Sequence, residues 1–358
     1  MINLDSIEEI KRIDKSGILG SIVALADQMQ QTWTEIKERP VPESCRLAKN
    51  VVISGMGGSA LGGRIVDSLI TDRARTPIEV FTEFRLPNYV NKDTFVILSS
   101  YSGNTEETLS AAHEALNRGA ALFCITTGGK LGQFMEDNKL DGYLINPVHN
   151  PSNQPRMGLG YSVVAVLAAL AKCEFINLLD SEVADAIDIA REFSEEFGIG
   201  KPRPSNLAKL LAAKLVGKIP LLIASEHLIG VSHAFKNQLN ENAKTFSLLF
   251  DIPELNHHLL EGLRNPAAAK KFLHFIFLES DLYSKEVKLR YPITREVVEK
   301  QEVETSIYKL HSNKKLNQIF EELVFGSYVN FYLAMLYELD PAPIPWVDYF
   351  KTKLSSTS

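Results

Sequence analysis

This sequence of 358 residues predicts an α/β protein with two doubly wound, mainly parallel sheets and flanking helices. Short β-branched runs alternate with helical stretches of about 12–18 residues, the pattern of parallel strands joined by crossover helices. The alternation starts again after a Pro/Asn/Ser-rich break, VHNPSNQP (148–155). With 45% hydrophobic and 23% charged residues the composition is globular, and the length suits about two domains.

Residues 5–38 carry Leu, Ile and Met at helical spacing and are expected as helix. VVISGMGGSALGGRIVDSLI then gives a strand, a glycine-rich turn and an amphipathic helix. IEVFTEF is the second strand and TFVILSS the third, followed by the helix SGNTEETLSAAHEALNRGA. ALFCITTGG is the fourth strand, GKLGQFMEDN a short helix and GYLINP an edge strand. After the break, GLGYSVVAVLAALAKC is apolar all round, which marks a helix buried between parts.

IPLLIAS, TFSLLFD, KFLHFIFLES and ETSIYKLH supply the strands of the second sheet. SHAFKNQLNENAK and TREVVEKQEV are its helices. A long helix from about Leu316 to Leu339 and a short one after Pro343 close the chain. The expected division is 1–152, a helical start and first sheet domain, and 153–358, the buried helix, second domain and C-terminal helices.

A net charge of −6, with basic residues scattered rather than clustered, argues against a nucleic-acid partner. Cys45, Cys124 and Cys173 show no CxxC spacing, and this sparse, odd set argues against a disulfide framework. Cys124, inside ALFCITT, is expected as a small buried hydrophobe. The acidic start, MINLDSIEEIKRID, has no leader pattern, and the run YSVVAVLAALAKC is too short for a bilayer, which takes about 20 residues. A soluble cytoplasmic protein is the expectation.

Two turns carry the chemistry. In GMGGSA, Gly55, Gly57 and Ala60 satisfy a dinucleotide fingerprint between strand and helix, and Glu83 is available as the acidic ribose partner. The second turn, SSYSGNTE, points elsewhere. A turn needs one capping hydroxyl, yet Ser100, Ser102 and Thr105 crowd here. Both turns leave the carboxyl ends of parallel strands, where ligands bind, and both open helices whose free N–H groups welcome an anion. Gly57, Gly58, Ser59, Ser100, Ser102 and Thr105 without a P-loop lysine suit one phosphate better than a triphosphate.

GMGGSA with SYSGNTEET resembles the sugar-isomerase (SIS) domain, a phosphosugar-binding module. HAFKNQLNENAK, DIPELNHHLLEGL and DPAPIPWVDYFKTKL follow in order, and together they resemble the bifunctional phosphoglucose/phosphomannose isomerase family. The resemblance covers the chain from about residue 45 and implies two SIS domains. The implied activity interconverts glucose 6-phosphate, and mannose 6-phosphate, with fructose 6-phosphate through a cis-enediol. No cofactor and no metal are expected.

The resemblance also implies the working residues. Glu241, in NEN, is the base that moves a proton between C2 and C1, with Glu254 in PELNH the competing carboxylate. His257 matches the ring-opening histidine, which the family contributes across a dimer interface, so a homodimer is expected. Arg156 matches the basic residue that stabilises the enediolate. Lys351 fits the C-terminal lysine, with Lys353 close by. His258 and Ala342 stand where the family usually carries Asn and Thr. A non-catalytic sugar-phosphate sensor is the other reading of the same turns, though the acidic stretch of about 45 residues ahead of GMGGSA is too short for the helix-turn-helix typical of such regulators.

Overall fold

The computed structural model describes residues 2–356 and contains two all-parallel sheets. The first is formed by β1 (Asn50–Gly55), β2 (Ile78–Phe81), β3 (Thr94–Ser99), β4 (Ala121–Thr126) and β5 (Asp141–Leu144). Its order is β2-β1-β3-β4-β5, with β5 at the edge as expected. The second is formed by β6 (Ile219–Ala224), β7 (Leu248–Asp251), β8 (Leu273–Glu279) and β9 (Glu304–Lys309), in the order β7-β6-β8-β9.

The two sheets share one plan. Each central pair, β1 with β3 and β6 with β8, flanks the point where the strand order reverses. Loops leaving such a pair run to opposite sides of the sheet and open a crevice at its carboxyl edge. GMGGSA and SSYSGNT leave β1 and β3, so the fold brings the two predicted turns to one crevice.

Strands β3 and β4 are buried at every residue, which explains their continuous apolar runs. One face of the first sheet packs on Ala111, Ala112 and Ala115 of the helix Glu106–Asn117 and on Leu131 and Phe134 of the next helix. The other face joins a core that runs continuously into the second sheet. The helix Leu159–Lys172 is buried from Leu159 to Leu170 and packs on the helices Leu25–Lys37 and Gly58–Leu69.

The helix Lys315–Leu336 is long and apolar enough to cross a membrane by length and composition, and its apolar window is wholly buried. It packs against the helices Asp180–Glu196, Leu207–Lys214 and Ile229–Glu241. A core helix reads like a membrane span because both are apolar all round.

The structure corrects several expectations. Residues 5–38 form three helices, Ile7–Ile13, Ile18–Val23 and Leu25–Lys37. Gly17 takes a left-handed φ of +73° at the first break, and the Asp14 carboxylate accepts the Ile18 and Leu19 amides at 2.9 Å. The helix over TREVVEKQEV begins earlier, at Lys285, and carries Pro292 in its interior. Asp180–Glu196 and Leu207–Lys214 escaped the strand-centred reading altogether.

The cysteines also differ. Cys45, in a 3-10 turn before β1, is disulfide-bonded to Cys173 at the end of the buried helix, with the Cα atoms 5.7 Å apart. The two are 128 residues apart, and no spacing rule can anticipate a pairing made by folding. Cys124 is free and buried as expected, and burial pushes its thiol up to about 12.

Candidate active site

The first wall of the site is the turn after β1. Gly55 must be glycine because a Cβ there would lie 2.8 Å from the Ser99 carbonyl oxygen of β3. Gly57 sits at φ +50°, a left-handed value, and starts the helix Gly58–Leu69 without a side-chain cap. The Ser59 hydroxyl is buried and accepts the Tyr101 N–H at 2.8 Å, tying this turn to the one after β3. Ser99 Oγ donates back to the Ser59 carbonyl at 2.9 Å.

The second wall is SSYSGNT. Ser100 is fully buried, and its hydroxyl meets Thr105 Oγ1 at 2.9 Å. Thr105 occupies the N-cap of the helix Glu106–Asn117 yet makes no side-chain cap bond. The surplus hydroxyls are therefore not spent on capping, which was the bland explanation for them. Ser102 is exposed, and its oxygen accepts the Asn104 N–H at 3.3 Å.

The carboxylate comes from the other side. Glu241 is the last residue of the helix Ile229–Glu241, and its side chain remains 28% exposed. Its Oε2 lies 3.4 Å from Nη1 of Arg156, a residue only 1% exposed in the turn Pro155–Met157. Burial raises the Glu241 carboxyl above its ordinary value, opposed by the charges of Arg156, Lys244 and Lys351.

Arg156 is held on every side. Its Nε donates to Asn242 Oδ1 at 2.5 Å, Nη1 to Gln154 Oε1 at 2.8 Å, and Nη2 to the Pro341 and Ala342 carbonyls at 3.1 and 2.7 Å. Asn242 is fixed in turn by donating to Asn330 Oδ1 at 2.7 Å. So engaged, the guanidinium is a rigid positive charge beside Glu241.

Lys351 lies on the exposed C-terminal helix Pro345–Ser355, and its charge bears on Glu241. Lys353 places its ammonium 5.8 Å from the Tyr349 ring centre.

Among the described residues no hydrogen bond or ion pair joins His257 to Glu241. His257 is exposed at the end of the 3-10 turn Glu254–His257, and among the described residues its side chain has no hydrogen bond or ion pair. His258 is also exposed and lies tilted on Phe250, ring centres 6.3 Å apart. Glu254, the competing carboxylate, is exposed in the same turn. Glu83 is exposed two residues past the end of β2.

The sequence reading missed Lys244. Its ammonium donates to the carbonyls of Glu241 at 2.9 Å and Pro341 at 3.0 Å, and burial first, then Arg156, lowers it to about 8. The available signal was its place three residues after Glu241 in NENAK. Asn242 and Gln154, which anchor Arg156, lay inside quoted motifs and were also passed over.

Two parallel sheets of one plan, with hydroxyl-rich turns at the switch point of the first, define a protein of two SIS (sugar isomerase) domains. A family model described as the bacterial phospho-glucose isomerase C-terminal SIS domain matches residues 204–354. The bifunctional phosphoglucose/phosphomannose isomerase of Caldicellulosiruptor bescii is 34% identical over 339 residues, covering 94% of this chain and 98% of that protein. The enzyme of the same name from Aquifex aeolicus is 31% identical over 326 residues, covering 91% and 95%. A solved structure of a hypothetical protein from Thermus thermophilus shares the fold, with TM-score 0.76 at 17% identity over 98% of this chain and 94% of that one. The chain belongs to the bifunctional phosphoglucose/phosphomannose isomerase family. The sensor and dinucleotide readings of the two turns are set aside on that ground.

Proposed function

We propose that the protein interconverts glucose 6-phosphate, and mannose 6-phosphate, with fructose 6-phosphate by proton transfer through a cis-enediol. The observation that carries this reading is Glu241, a carboxyl raised by burial and paired at 3.4 Å with a rigid guanidinium. A carboxylate so raised is a stronger base than a solvated one and suits removal of a proton next to a carbonyl.

In the aldose-to-ketose direction Glu241 takes the C2 proton. The C2–H electrons form the C1–C2 double bond, and the C1 carbonyl oxygen receives the displaced pair. The O2 proton passes to O1 while the O2–H electrons form the C2 carbonyl, and the C1–C2 double-bond pair takes the proton back from Glu241 at C1, which leaves the C2 ketone and a C1 hydroxyl. Arg156 and Lys244 supply positive charge for the enediolate oxygens, so the scheme calls for no metal. Gly57, Gly58, Ser59, Ser100, Ser102 and Thr105 hold the phosphate through amide and hydroxyl donors, and Lys351 flanks the sugar.

The reading includes a homodimer in which His257 opens the sugar ring in its partner's site. Two features support it: the isolated His257, and a C-terminal helix that buries none of its described residues while exposing Trp346, Tyr349 and Phe350. We place the division of the chain at 152/153, between the two sheets. A cytoplasmic setting suits charged sugar phosphates, which do not cross a bilayer unaided.

The test is an NMR time course of fructose 6-phosphate in D₂O with chelator-treated protein and a Glu241→Gln control. Glucose and mannose 6-phosphates carrying deuterium at C2, with wild type alone, are expected. Bound substrate without turnover would overturn the proposal.

A further inference from the structure

The second sheet repeats the backbone outline of the first crevice with other side chains: Glu226, His227 and Leu228 follow β6, and Asp281, Leu282 and Tyr283 follow β8. In the first sheet the chain leaves β1, reaches Gly57 two residues later at φ +50°, and enters a helix. In the second it leaves β6, reaches Glu226 two residues later at φ +48°, and passes through the turn Glu226–Leu228 into the helix Ile229–Glu241. The turns after β3 and β8 correspond as well. The Gly103 N–H donates to the Ser100 carbonyl at 3.0 Å, and the Tyr283 N–H donates to the Ser280 carbonyl at 3.4 Å. Each turn then leads to a hydroxyl residue at a helix N-cap, Thr105 in one and Ser284 in the other.

Glu226 is an odd residue for its position. A left-handed backbone disfavours a side chain by roughly 1–2 kcal/mol, and glycine serves there in the first sheet. What offsets the strain is visible across the crevice. Both oxygens of the Glu226 carboxylate accept the Ser284 N–H, at 3.1 and 3.3 Å. That amide opens the 16-residue helix Lys285–Lys300, where free N–H groups and the helix dipole favour an anion. The neighbouring His227 is 1% exposed, and its Nδ1 has no partner among the described residues. The turn thus holds a further buried polar atom that no described residue satisfies.

We propose that the second sheet carries a duplicate of the phosphate cradle, closed by the chain's own Glu226 carboxylate, so that each chain binds one sugar phosphate. The inference rests on reading the first pair of turns as a phosphate cradle. Glu226 fills the anion's place in the second pair, repels incoming phosphate by its charge, and leaves the second domain to supply Glu241.

Equilibrium dialysis with radiolabelled orthophosphate tests this on the full-length protein. Wild type is expected to saturate at one phosphate per chain. Glu226→Gly, which suits the left-handed backbone, is expected to gain one more. Glu226→Asn, also tolerated at positive φ, repeats the test should the glycine variant fold poorly. Two phosphates per wild-type chain, or no gain in a folded variant, would overturn the inference. A wild type binding none, with a variant binding one, would instead sink the first-sheet cradle and keep the closed second one.

Discussion

Gly58 and Arg156 touch through their backbones: a Cβ on Gly58 would stand 2.8 Å from the Arg156 nitrogen and 3.0 Å from the Pro155 carbonyl carbon. The glycine-rich turn and the arginine turn are in register only because residue 58 has no side chain. Gly58→Ala should push the Pro155–Met157 turn away, lower stability by about 1–3 kcal/mol and cut kcat by roughly 10-fold or more. Steady-state kinetics beside a denaturation curve checks this, and unchanged kinetics would mean that the turns need not touch.

In the proposed mechanism turnover depends on Glu241. Glu241→Gln keeps the shape and removes the base, so kcat should fall by about 10²–10⁴-fold with little change in KM. Loss of binding in place of turnover would assign Glu241 to substrate affinity instead.

The rate should be bell-shaped in pH. Burial raises Glu241 above its ordinary value of 4.5, so the base form appears, and the rate climbs, at a pH higher than a solvated carboxylate would give. Lys244 loses its proton near 8, which removes positive charge from the site and lowers the rate above that pH. Lys244→Arg keeps the charge and should move the alkaline limb upward. Linkage supplies a second check. Between about 8 and 10.5 the unfolded chain holds the Lys244 proton that the folded one has released, so this residue's contribution to stability rises with pH there.

Cys45 and Cys173 close a loop of 128 residues. Cys45→Ser should lower stability by about 2–4 kcal/mol while sparing the site, since neither cysteine lies in it. Denatured without reductant, the chain should titrate one free thiol, Cys124. Three would show the cysteines reduced.

Mixing two inactive variants tests the shared site. In the proposed homodimer, Glu241→Gln and His257→Ala would each break both sites, but a mixed dimer would regain one site with both groups intact. Activity should reappear after subunit exchange. No recovery in a demonstrated heterodimer would place His257 in its own chain's site, or outside the chemistry.

Much of the crevice was legible because it is local. The glycines of GMGGSA and the hydroxyls of SSYSGNT sit at strand ends, and a parallel sheet delivers such ends to one edge whatever surrounds them. Glu241 differed: by pattern it was one more helix carboxylate, and only the resemblance singled it out. The helix boundaries near Gly17 and Pro292 were harder to read, since Asp14 caps the second helix and Pro292 is carried within a later one.

From its residues alone, the chain determined the order of its strands, the helices between most of them, the paired turns and the family to which they belong. The strands and turns follow from side-chain periodicity and backbone freedom within a few residues, and the family from the resemblance of several separated motifs. Tertiary structure decided the rest: the Cys45–Cys173 bond, the Pro341 and Ala342 carbonyls that hold Arg156, the lowered Lys244 ammonium, and the Glu226 carboxylate on the Ser284 amide. Each depends on which distant groups share a space and how much water is left there, quantities that exist only once the chain has folded.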